Sequence, residues 1–114
     1  MGDDKMIPTA DVHLLKHQRQ FLYDVEQAIR EANLAIIHTR IPKIDKATFV
    51  KMAKGVSLLR ADYLEAALLL ANEAKLSADQ MADLKLRRER FEEARTAFDA
   101  VQRAIIRGYV DVAE

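Results

Sequence analysis

Apolar residues recur along this chain at sevens, and that spacing organises everything else that can be read from it. Leu15, Leu22, Ile29 and Ile36 are seven apart, with Leu14, Phe21, Val25, Ala28 and Ala32 beside them. Phe49, Val56, Tyr63 and Leu70 form a second such row, and Met52, Leu59 and Ala66 follow three residues after the first three members. Leu84, Phe91, Phe98, Ile105 and Val112 form a third, with Ala94 and Val101 between. Rows of this period are the buried stripes of helices packed lengthwise.

Punctuation separates the rows. Pro8 and Thr9 precede the first. Pro42 closes it, because proline disfavours helix at the residue before it. Asp45 is a good N-cap for the second. Ser77-Ala78-Asp79-Gln80 reads as a capping box opening the third. The pattern predicts helices over about 10–40, 46–76 and 78–112, after a flexible segment 1–9. Gly55 lies inside the second helix and marks a kink or a close approach; Gly108 lets the last turn fray or end. The links are short, and short links make neighbours antiparallel. The expected fold is all-α: an elongated antiparallel up-down bundle of about three long helices, each about 45 Å long for roughly 30 residues.

One feature exceeds a single seam per helix. The second helix carries a further apolar line, Val50, Leu64, Leu68 and Ala71, and the first ends with Leu34, Ile37 and Ile41 off its stripe. A helix apolar on two faces is buried on two faces. Either the second helix is central and covered by the other two, or homodimerisation or a fourth helix completes the bundle. Leu34, Ile37, Ile41, Val50, Leu64 and Leu68 are the candidate interaction surface.

Composition narrows the chemistry. Hydrophobic residues make up 50% of the 114 and charged ones 32%, and only three Gly and two Pro interrupt them. This is a long-helix composition. The absence of cysteine removes disulfides, thiolate metal sites and thiol nucleophiles. The N-terminal stretch has no apolar core and reads as no signal peptide; Gly2 is followed by Met6 where a myristoylation site wants Ser or Thr. Ala66–Ala71 is the longest apolar run, too short for a bilayer. A cytoplasmic location with no membrane contact is the expectation.

Eighteen basic residues balance eighteen acidic ones, which argues against a general polyanion binder. Locally the balance fails. Arg40, Lys43, Lys46, Lys51, Lys54 and Arg60 face only Asp45, and in an up-down-up bundle Arg103 and Arg107 share their end, partly offset by Asp99, Asp111 and Glu114. Arg40, Lys43, Lys46, Lys51, Lys54 and Arg107 are thus a candidate anion-binding tip, for phosphates, nucleic acid or an acidic protein. The run Lys85–Arg90 is basic in isolation but sits among as many acids over Asp83–Glu93, as a solvated helix face does. Arg87 falls on the inner stripe and either snorkels or meets a carboxylate.

No catalytic or cofactor constellation stands out. His13 and His17 are four apart, but both face away from the stripe and lack a third ligand. His38 suits a helix C-terminus. No Glu-x-x-His occurs. A small enzyme would need scattered side chains in the bundle core or between subunits, with Tyr23, Asp62 and Tyr63 meeting mid-rod.

Lys51-Met52-Ala53-Lys54-Gly55 resembles the His-x-x-Lys-Gly core of histidine phosphotransfer domains. Lys51 stands where the phosphorylated histidine would be, so the resemblance implies docking without phosphoryl transfer. Phe91-Glu92-Glu93-Ala94 with Phe98 is similar to the second helix of a tetratricopeptide repeat, but its internal echo, Tyr63-Leu64-Glu65-Ala66 with Leu70, has an offset of 28, not 34. The function expected is therefore a non-catalytic, self-associating adaptor or regulatory subunit that binds itself or another helical protein. Nucleic-acid binding and an enzyme remain the alternatives.

Overall fold

The computed structural model describes residues 9–113, with side chains from residue 15 onward. The flexible segment expected over 1–9 falls almost wholly outside them, and the side chain of His13 does so too. The chain is all-α and elongated, built on three helices: α1 Thr9–Arg40, α2 Lys46–Leu69 and α3 Ala78–Ile106. Two three-residue strands, β1 Lys43–Asp45 and β2 Asp111–Ala113, complete it.

The caps act where the sequence places them. The Asp45 carboxylate accepts from the Thr48 amide at 2.7 Å. Ser77 Oγ accepts from the Gln80 amide at 3.1 Å, and Gln80 Oε1 accepts from the Ser77 amide at 2.8 Å, the reciprocal capping box. The two backbone donations to Asp45 and Ser77 satisfy amides that have no partner inside their helix. α2 ends in a 3-10 turn over Leu70–Asn72, short of residue 76.

That Thr48 amide holds the Asp45 carboxyl below its ordinary range. The sign follows from linkage. A depressed acid contributes stability that is fully present above the unfolded pKa and is lost as pH falls through the folded one. Asp45→Asn keeps a cap acceptor that does not titrate. Acid titration followed by far-UV circular dichroism should show the parent losing, below about pH 4, a component of stability that the D45N variant does not lose.

α2 and α3 make the antiparallel pair that the heptads predict. Phe49, Met52, Leu59, Tyr63, Ala66 and Leu70 are half-buried and Val56 is buried; Leu84, Phe91, Ala94, Phe98, Val101 and Ile105 face them. The rings of Phe49 and Phe98 stack at 4.7 Å between centroids, and those of Tyr63 and Phe91 at 6.3 Å. Arg60 and Arg95 lie over the Phe91 ring at 5.1 and 5.8 Å. Arg87 sits half-buried on the stripe and meets Asp83 at 2.9 Å.

α2 runs through Gly55 without a break, and a methyl added there would meet no atom within 4 Å. Of the two readings of this glycine, a kink or a close approach, neither is seen among the described residues. Gly55→Ala should therefore stabilise by about 0.5–1 kcal/mol through helix propensity, read as a rise in the urea midpoint.

α3 stops at Ile106, not at 112. Gly108 takes φ +77°, its amide donates to Ile105 at 3.0 Å, and the Tyr109 amide donates to Ala104 at 2.9 Å. These two bonds are a Schellman motif, which needs a left-handed residue just past the helix end. The chain then turns back. Val112, the fifth member of its row, leaves the helix and stands exposed in β2 opposite Ile44.

β1 and β2 are parallel, pairing Lys43 with Asp111, Ile44 with Val112 and Asp45 with Ala113. The Asp111 amide also donates to Pro42 at 3.1 Å. This clasp ties the α1–α2 link to the segment beyond α3. The deepest burial lies beside it at Val110, 3% exposed, and Tyr109, 7% exposed. His38 on α1 meets Asp111 at 3.1 Å.

α1 does not lie along the α2–α3 pair. The molecule measures 67 × 50 × 19 Å, two arms in one plane and about two helices thick. Its radius of gyration is 23.2 Å, against about 13 Å for a compact domain of this length.

Candidate self-association interface

The α1 stripe, expected to face a neighbour in the same bundle, faces solvent. Phe21 is 65% exposed, Leu22 58% and Ile29 54%, and Leu15, Val25 and Ile36 are exposed with them. The clasp explains why. α1 is held by its C-terminal third, where Asn33 and Ile37 are its only half-buried residues among those with described side chains. Both lie on a flank of the helix, rotated away from the stripe by the 100° per residue of an α-helix. The hub grips one side of α1 and leaves the apolar side free.

The hub is polar as well as packed. The Asn33 side chain beside the Tyr109 hydroxyl holds the phenol below its ordinary value, desolvation opposes this, and Arg107 and Arg30 reinforce it.

The candidate surface read from sequence falls in two places. Leu34 and Ile37 lie on the last turns of α1 and Ile41 just past its end; Ile37 is half-buried and the other two are exposed. Val50, Leu64 and Leu68 run along α2, all exposed, Leu68 at 73%. At 1.5 Å per residue Val50 and Leu68 are about 27 Å apart, so these residues are a line and not a patch. Sequence reasoning missed the larger face. Heptad spacing alone puts Leu15, Phe21, Leu22, Val25, Ile29 and Ile36 in the internal core, and nothing in it distinguishes an internal neighbour from an external one.

The basic tip is partly assembled. Arg40, Lys43, Lys46 and Arg107 end up around the clasp, but Asp45 and Asp111 stand among them, and Lys43 is the register partner of Asp111. The charge of Arg107 favours the ionised form of the Tyr109 phenol. Lys51 and Lys54 lie exposed along α2. The charges at that end are mixed.

Little in the described residues resembles a catalytic centre. Tyr23 is exposed on α1 while Tyr63 stacks near Phe91 inside the α2–α3 pair, so the mid-rod meeting with Asp62 is not made. A depression of about 910 Å³ bounded by Leu59, Leu86, Arg90, Ala94 and Ala97 opens broadly to solvent. No group of three or more metal-ligating side chains occurs among the described residues. No helix among them is long and apolar enough to cross a membrane.

No family model, curated protein or solved structure matches this chain.

Proposed function

We propose that this chain is a non-catalytic helical interaction protein, an adaptor or regulatory subunit, that associates with itself through the exposed face of α1. The observation that carries this reading is the solvent-facing heptad stripe of α1. Supporting it is the total surface. The chain exposes 9703 Å², about half as much again as the roughly 6,300 Å² of a compact monomer of its mass. Obligate interfaces remove about 2,000 Å² or more in total, so a surplus of this size is what an associating subunit carries. Large apolar faces on an isolated chain mark interaction sites.

The test is molar mass by light scattering over a concentration series. The expected result is twice the 13.0 kDa of one chain at micromolar concentration, with a melting temperature that rises with concentration. A chain that stays monomeric at high micromolar concentration overturns the reading.

A further inference from the structure

The two flanks of the α1 stripe differ in chemistry, and that difference sets the direction of a partner helix. With Leu15, Leu22, Ile29 and Ile36 at heptad position a, position d holds Gln18, Val25 and Ala32. Position g holds Phe21, Ala28 and Ala35, an apolar flank. Position e holds Arg19, Glu26 and Asn33, a polar flank. In a parallel pair e packs against g of the other strand, which would set Glu26 beside Phe21 and Asn33 beside Ala28. In an antiparallel pair e meets e and g meets g. Only the second matches like flank with like, and e and g positions are where coiled coils encode orientation.

We infer that the occupant of this face is α1 of a second copy of the chain, running antiparallel, with Leu22 packed on the partner's Val25 and Arg19 paired with the partner's Glu26. This rests on the self-association proposed above and specifies its seam. A two-fold interface must be self-complementary, and this one is. The pairing that puts Arg19 on the partner's Glu26 puts Glu26 on the partner's Arg19. The same register sets Leu15 against the partner's Ala32, so a bulky residue meets a small one at the seam's ends. The hub lies outside it, because Asn33 and Ile37 fall beyond the paired span from Leu15 to Ala32. Two hairpin arms then sit at opposite ends of the paired helices and do not collide.

Charge exchange and cysteine pairing test the arrangement in the full chain. Arg19→Glu or Glu26→Arg alone should weaken association about tenfold, since each sets two like-charge pairs where two opposite pairs stood. The double variant R19E/E26R should recover the parent affinity. The chain has no cysteine of its own, so copies bearing L22C and copies bearing V25C can be mixed and oxidised. Disulfides between the two kinds of copy are expected. If association persists but only like copies cross-link, or if the charge variants bind as the parent does, the antiparallel seam is overturned while self-association stands. If the parent chain itself is monomeric, both fall together.

Discussion

Leu22→Asp is expected to abolish association while leaving the α2–α3 arm folded. Leu22 stands 58% exposed in the free chain, so an aspartate there costs the monomer little. In an associated pair it is enclosed twice, once on each copy. Losing the leucine and burying an unpaired carboxylate costs about 2 kcal/mol at each site, and about 4 kcal/mol in total is close to a thousandfold in Kd. Light scattering should report a single chain at concentrations where the parent is paired. Helix content should fall as well. A lone amphipathic helix draws most of its stability from packing, and α1 has packing only at its hub end. The α2–α3 arm supplies the control. Its Phe49–Phe98 and Tyr63–Phe91 stacks are remote from Leu22, so a cooperative melt of that arm should survive.

The second large effect falls on the hub. Val110 is 3% exposed, and Val110→Asp sets a carboxylate where no solvent reaches. The expected loss is about 3 kcal/mol, from lost apolar burial together with an unpaired buried charge. For a chain of this size that lowers the melting temperature by more than about 10 °C. Val112→Asp, two residues on and 60% exposed, should stay within about 0.5 kcal/mol of the parent. The contrast between neighbours separates docking of the segment from the mere presence of charge in it. If both variants melt alike, the burial described at the clasp is wrong.

Much of the helical architecture was legible in the residues. Period seven located the inner faces of α2 and α3 residue by residue, down to Arg87 among the hydrophobic members. Asp45 and the Ser77–Gln80 box cap where polar side chains of that kind must. The ends were harder. Val112 continues the period of its row, and only the left-handed conformation at Gly108, which a glycine permits but does not compel, takes it off the helix. The strands escaped because three residues cannot display a period of two. Their signal was indirect: Pro42 forces Ile41 toward extended backbone, and Tyr109, Val110 and Val112 favour it.

The place of α1 was the main thing the spacing could not decide. A stripe such as Leu15, Leu22, Ile29 and Ile36 marks an apolar face, and its spacing does not say whether that face is covered within the chain. The hub makes that choice, through Asn33, Ile37, His38 and a segment more than about 70 positions away. The clasp adds detail at the basic end: Asp111, expected there from the helix order, is the register partner of Lys43, and that pairing has no local signature.

The clasp also orders events in time. α2 and α3 are joined by a short turn, so their pairing involves modest chain separations and forms early. Joining Lys43–Asp45 to Asp111–Ala113 must close a loop that contains the whole hairpin, at a larger entropic cost. Until it closes, the contacts of the clasp that aim α1 are not made. Refolding should then run in two kinetic phases: a fast one independent of protein concentration, as the hairpin assembles, and a slower one that quickens with concentration, once α1 has been aimed.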